Sequence, residues 1–355
     1  MSRPATPEVP QPESAPATEQ PRPVRTAPPL PTLEEVCLLD VRVMSHIPKS
    51  LRVGIAKSWG KAFSAAAWDS TSAREGSGGA WVTALMFAKV VLGTDPRQAR
   101  GYTTLDEVKA RLARWDAGEC AFMWEELAES AYRHLKAKTG AKKAAFTTLN
   151  VERAEQLVRE GQFSKAVATL MSQPPKAKNE ATRKALNVLH PKRKPGPRPE
   201  QGAAGPYTPI TVEEALASLR SFRAGSSPGA LQIRVEFLRE IVDADSSGGF
   251  LKNFVAALNV LQRGAAPPCV RASMAGAALS ALEKKGGGTR PIAAGESIRR
   301  IIGKVLCARI KVKAAAFFAP LQFGVACSHG TERVVHRARK FWEGCGDHYD
   351  ACMVK

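Results

Sequence analysis

Apolar positions recur at helical spacing through most of this chain, and only one short stretch changes to a pattern suited to strands. From Leu33 to about Trp68 the period is helical, broken at Ile47-Pro48, with Leu51, Ile55, Trp59 and Phe63 spaced for one buried stripe. Ala80 to Leu92 is apolar enough to be buried on most sides and is expected at the centre of a helical subdomain. Asp106 to Trp115 and Glu119 to Lys136 predict two further helices around Gly118, packing through Leu112, Trp115, Phe122, Trp124 and Leu127. Their helical spacing favours packing over base stacking. Asn150 to Glu160 and Ser164 to Ser172 predict a helical hairpin. Thr211 and Glu214 have the spacing of a capping box opening a helix to Phe222, and the turn Gly225 to Gly229 leads to helices near Leu231 to Val242 and Phe250 to Arg263. Ala277 to Leu282 and Thr289 to Ala293 then suit strands, joined by Glu283-Lys284-Lys285-Gly286-Gly287-Gly288, a loop longer than two residues. Ser297 is placed to cap a helix from Ile298 to Phe318. The pattern as a whole predicts a mostly α protein with a small β-hairpin.

Prolines and cations divide the chain. Residues 1–32 hold ten prolines and few large apolar groups, which predicts a disordered tail. A helical subdomain is expected over 33–172. The stretch 173–207, dense in Pro, Gly and cations, reads as a linker with one short helix, Asn179 to Leu189, and 208–355 as the second domain. Lys192-Arg193-Lys194 in that linker has the form of a nuclear-import patch, and equally of any basic linker.

Charge narrows the partner. Across 355 residues Lys and Arg total 52 against 33 acidic residues, a net +19, which suits a polyanion better than a small metabolite. Nucleic acid is the first candidate and an anionic membrane the second. The longest apolar run, Ala80 to Gly93, is too short to span a bilayer and the N-terminus lacks a signal peptide's apolar stretch, so a soluble intracellular protein, nuclear or cytoplasmic, is expected. Seven irregularly spaced cysteines argue for free thiols. Cys327, His329, His336, Cys345, His348 and Cys352 fit no common zinc module.

The densest charge lies between Leu279 and Lys313, where nine Lys or Arg face two Glu. At the hairpin tip, glycine amides stand beside Lys284, Lys285 and Arg290, a combination that suits a phosphate. Gly286-Gly287-Gly288-Thr289-Arg290 lacks the Gly-Lys-Ser/Thr ending of a P-loop. In the following helix Ile298, Ile301, Ile302, Val305, Leu306 and Ile310 predict a packed face, with Arg299, Arg300, Lys304, Arg309, Lys311 and Lys313 largely around the other.

This order of a charged glycine-rich tip, Arg290-Pro291-Ile292-Ala293, a basic helix, and Pro320-Leu321-Gln322-Phe323-Gly324-Val325 entering a new helix resembles the fingers region of reverse transcriptases of non-LTR retrotransposons. The segment from Tyr207 to Gly229 is similar to the one preceding the fingers in that family, and together these cover roughly residues 150 to 355. The resemblance implies partial α+β fingers of an RNA-directed DNA polymerase, with RNA template or RNA/DNA hybrid and deoxynucleoside triphosphate as partners. It implies phosphate contacts at Lys284, Lys285, Gly287 and Arg290, and nucleic-acid backbone contacts at Arg299, Arg300, Lys304 and Arg309. The family's Mg2+ is held by palm aspartates that this reading expects beyond Lys355, so no catalytic or metal residue is assigned here and the chain alone is expected to bind without polymerising. A non-catalytic basic RNA-binding adaptor is the alternative.

Overall fold

The computed structural model describes residues 26–70, 78–94, 104–138, 146–172, 176–177, 179–189, 207–284 and 287–344. The fold is mostly helical, 66%, with one two-stranded antiparallel sheet. Lys285, Gly286, the triplet 192–194, the tail up to residue 25, and Cys345, His348 and Cys352 lie outside the described residues.

Thr32 opens α1 (Leu33–Leu38) with a capping box completed by Glu35. The break expected at Ile47-Pro48 is a short 3-10 turn, Lys49–Leu51, running into α2 (Arg52–Asp69). Helix α3 (Gly79–Leu92) is buried along nearly its whole length, as its continuous apolar run predicts. The next pair, α4 (Leu105–Asp116) and α5 (Cys120–Lys138), packs on α3 through Trp115, Met123 and Trp124, all core residues. Two helices, α6 (Phe146–Arg159) and α7 (Phe163–Leu170), form the expected hairpin, and α8 (Glu180–Leu189) falls in the stretch read as a linker.

The second half contributes α9 (Val212–Arg220), α10 (Val235–Ala244), α11 (Gly249–Gln262) and α12 (Pro268–Ala275). Then come β1 (Ala277–Glu283), β2 (Thr289–Gly295), α13 (Ser297–Phe318) and α14 (Gly330–Gly344). The strands pair in register from Ala277 opposite Gly295 to Glu283 opposite Thr289.

One hydrophobic core runs from Leu33 to Val305 and draws on both halves of the chain. Its centre is the packing of α2 on α11. Gly60 permits the close approach: a Cβ there would stand 3.4 Å from the Phe250 Cα. Around it Trp59 stacks on Phe87 at 4.8 Å and Phe63 meets Phe254 edge-on at 5.0 Å, geometries that aromatic quadrupoles favour. Asn259 of α11 fixes the entry to α9, accepting from Tyr207 Oη and the Ile210 amide while donating to the Ile210 carbonyl. No helix among the described residues is long and apolar enough to cross a membrane.

Two local expectations change. Ser297 does not cap α13: the N-cap is Glu296, and Ser297 is buried inside the first turn, where its Oγ accepts from Arg300 Nη2 at 3.1 Å. The packed stripe of α13 also ends early. Ile298, Ile301 and Val305 are buried, whereas Leu306 and Ile310 are exposed, Ile310 on an open concavity between α9 and α13.

Candidate nucleic-acid interface

The basic face of α13 borders an open groove of roughly 680 Å³, whose opposite wall is the loop leaving α9. Arg299, Arg300, Gly303, Lys304 and Cys307 line it from the helix, and Ser221, Phe222, Arg223 and Ser226 from the loop. Buried Phe222 organises the cations. Lys304 Nζ lies 4.8 Å and the Arg300 guanidinium 5.5 Å from its ring centroid, within the range of cation–π attraction. Lys304 also donates to Ser221 Oγ at 3.0 Å. Arg299 is exposed and donates to the Ala275 carbonyl at 2.6 Å.

The loop wall is held from beneath by charged side chains. Arg239 donates to the carbonyls of Leu219, Arg220 and Phe222, closing the C-terminal end of α9. Glu236, nine-tenths buried, accepts the Gly225 amide at 2.6 Å, and Arg300 Nη2 donates to the Ser227 carbonyl. Glu296, only 3% exposed, accepts the Leu231 amide at 3.2 Å. Gly229 is required there, since a Cβ would meet the Glu296 carboxyl carbon at 2.3 Å. Burial pushes the Glu296 carboxyl above its usual range, partly offset by the Leu231 and Ala230 amides, and burial likewise lowers Arg300. From the far side Lys165 Nζ of α7 donates to the Ala224 carbonyl.

The four cations expected at the nucleic-acid backbone separate into three and one. Arg299, Arg300 and Lys304 share the groove. Arg309 faces the opposite way: Nε and Nη2 grip both Glu214 oxygens at 2.7 and 2.6 Å, while Nη1 and Nη2 donate to the Thr208 and Pro209 carbonyls at 2.8 and 2.7 Å. Its fork is saturated by this bidentate pair, which lowers Glu214 and raises Arg309, and its place is that of a clamp between α13 and the start of α9.

The tip residues form a separate group. Lys284 and Arg290 are exposed, and Gly287 and Gly288 take φ of +83° and +85°, a conformation favouring glycine. The Gly287 amide donates to the Lys284 carbonyl at 2.9 Å, closing the turn. Arg290 and Gly295 are five strand residues apart, so the tip stands roughly 17 Å from the groove end of the hairpin. The stretch before α8 touches this hairpin: the Lys176 amide donates to the Ala281 carbonyl at 3.0 Å, and α8 packs on β2.

Sequence reasoning missed Arg223, Ser221, Ser226 and the supports Glu236, Arg239 and Glu296. Only Arg223, next to the turn at Gly225, carried a local signal. Glu296 and Leu231 are 65 positions apart, a separation at which no pattern connects them. Among the described residues no group of three or more His, Cys, Asp or Glu is placed to hold a metal ion. No protein family model, curated protein or solved structure matches the chain.

Proposed function

We propose that this chain carries the fingers portion of an RNA-directed DNA polymerase of the non-LTR retrotransposon kind, and that it binds RNA or an RNA/DNA hybrid along the groove of α13. The observation that carries the reading is the groove itself: Arg223, Arg299, Arg300 and Lys304 converge on one concavity lined by no carboxylate. A phosphodiester backbone satisfies such a surface, and neutralising it releases counterions. The hairpin adds the second part of the reading, with exposed Lys284 and Arg290 beside the glycine turn at Gly287 offering donors to a triphosphate. Lys285 belongs to the same tip by sequence. Arg309 serves this function as a clamp, holding α9 against α13 so that the walls keep their separation.

Titration separates the two parts. RNA affinity falls steeply between about 50 and 200 mM salt, and Arg299→Ala with Lys304→Ala lowers the slope by about 0.7 per lost phosphate contact on a single strand. Lys284→Ala with Arg290→Ala leaves RNA affinity nearly unchanged and weakens binding of inorganic tripolyphosphate. RNA binding that is flat with salt contradicts the reading. Equal loss of RNA affinity in the tip and groove variants favours the non-catalytic adaptor instead.

A further inference from the structure

Two hydroxyls line the basic groove, those of Ser221 and Ser226, and they are held differently. Ser221 Oγ is engaged on both sides, donating to the Ser218 carbonyl at 2.7 Å and accepting from Lys304 Nζ at 3.0 Å. Ser226 has a local bond only: its Oγ donates to the Arg223 carbonyl at 2.6 Å, and its amide donates to the same oxygen at 3.2 Å. The amide keeps that turn closed without the hydroxyl. Ser227, the next residue, is exposed, but its Oγ donates to the Pro228 carbonyl and it does not line the groove.

The surroundings of Ser226 are those of a phosphate. Arg223, Ala224 and Ser227 are exposed, so this stretch of the loop is presented to a partner. Among Ser221, Ser226 and Ser227, only Ser226 has an arginine three positions earlier, Arg223. Protein kinases select their substrates by charge patterns of this kind. On the groove side, Arg300 Nη2 already bonds the carbonyl of the adjoining Ser227. The carboxylates beneath the loop, Glu236 and Glu296, are buried on the Gly225 and Leu231 amides, and neither lines the groove.

We propose that Ser226 is a phosphorylation site whose phosphate closes the groove to nucleic acid. The proposal rests on the nucleic-acid reading above and adds its regulation. The donor is a nucleoside triphosphate held by an arginine-directed protein kinase. Ser226 Oγ bonds the γ-phosphorus as the bond from that phosphorus to the β–γ bridging oxygen breaks; the nucleoside diphosphate leaves, and the hydroxyl proton passes to the kinase's catalytic carboxylate. The product brings a charge of about −2 and three acceptor oxygens to the groove wall, where Arg223 and Arg300 stand beside it as charge-assisted donors. Four cations line the groove, so about half of their charge is neutralised from within. On a single strand each phosphate contact contributes about 0.7 to the salt slope, or about fivefold in affinity at about 0.1 M salt. Displacing two contacts lowers affinity roughly 25-fold and the slope by about 1.4.

The test incubates the full chain with ATP and a purified protein kinase that selects arginine three residues before its target. Phosphate is mapped by mass spectrometry, and an RNA dodecamer is titrated before and after treatment. Phosphate appears on Ser226, and RNA affinity and salt slope fall by the amounts given. In Ser226→Ala the affinity no longer responds to the kinase, whereas in Ser227→Ala it still does. Ser226→Glu, with one charge, binds RNA about fivefold more weakly than the isosteric Ser226→Gln. A peptide of residues 218–230 phosphorylated under conditions that leave the full chain unmodified overturns the site. Phosphorylated Ser226 with unchanged RNA affinity, or Ser226→Glu equal to Ser226→Gln, overturns the closing of the groove and leaves the nucleic-acid reading standing. A chain that binds no RNA before treatment removes that reading and this one together.

Discussion

The aromatic core and the loop above the basic groove handle buried polar atoms in opposite ways. In the core, Trp59 Nε1 donates to the Ala84 carbonyl at 2.8 Å and Trp81 Nε1 to Ser70 Oγ at 2.7 Å. Even Lys89, 1% exposed, places its ammonium on the Val36 and Leu39 carbonyls. Around the loop, Gln162 Oε1, Glu296 Oε2 and Arg300 Nε are buried without a hydrogen-bond partner in the protein, while Arg234 Nε and Glu236 Oε2 face each other as an ion pair at 3.7 Å. Such atoms cost about 1 to 3 kcal/mol each, so the core supplies stability that the loop draws upon. Two more such atoms lie elsewhere, Ser130 Oγ on α5 and Gln262 Oε1 on α11, but the gathering of the others beside a charged groove marks the region where function, rather than packing, has set the residues.

The largest expected effect comes from the core. Trp59→Ala removes a fully buried ring and lowers stability by about 3 to 5 kcal/mol in urea unfolding. RNA affinity per folded molecule stays unchanged; a loss confined to binding would erase the distinction between the regions. Next comes a pH effect from Lys89. Burial lowers its pKa from 10.5 to about 8, while Cys37, Glu296 and Asp40 oppose the shift. Between pH 8 and 10.5 the unfolded chain holds a proton on Lys89 that the folded one has released, so Lys89 contributes stability that rises with pH through that window, by up to roughly 3 kcal/mol, opposed above about pH 9 by Cys37 and Cys120, whose thiols burial pushes up. Lys89→Met flattens the rise. A difference between wild type and Lys89→Met that does not grow with pH across the window contradicts the buried ammonium.

Arg309→Ala sharpens the comparison at the groove. It leaves the partly buried Glu214 unpaired and lowers stability by about 1.5 to 3 kcal/mol, yet hardly changes the salt slope of RNA binding. Lys304→Ala shows the reverse. The smallest effect belongs to the tip: Lys284→Ala and Arg290→Ala, both at exposed positions, shift stability by less than about 0.5 kcal/mol.

Helices and hairpin were legible because their causes are local. The capping box at Thr211, the continuous apolar run of α3 and the glycine tip between two short runs suited to strands each carry their signal within a few residues. The basic side of α13 was legible as charge, but not the partition within it. Arg309 and Lys304 look alike in sequence, and only the arrival of Glu214, 95 positions away, turns one into a clamp. Ser297 failed as a cap for the same reason. Its hydroxyl meets Arg300 in a buried turn whose shape is set by Glu296 gripping the distant Leu231 amide.

The central claim is that nucleic acid lies in the groove between the α9 loop and α13. Photo-crosslinking of 4-thiouridine-substituted RNA to the full chain, with peptides mapped by mass spectrometry, tests it most directly. Crosslinks concentrated in residues 221–226 and 299–311 are the predicted result. Crosslinks that avoid both segments and collect on α14, whose exposed face carries Arg333, Arg337, Arg339 and Lys340, would contradict it.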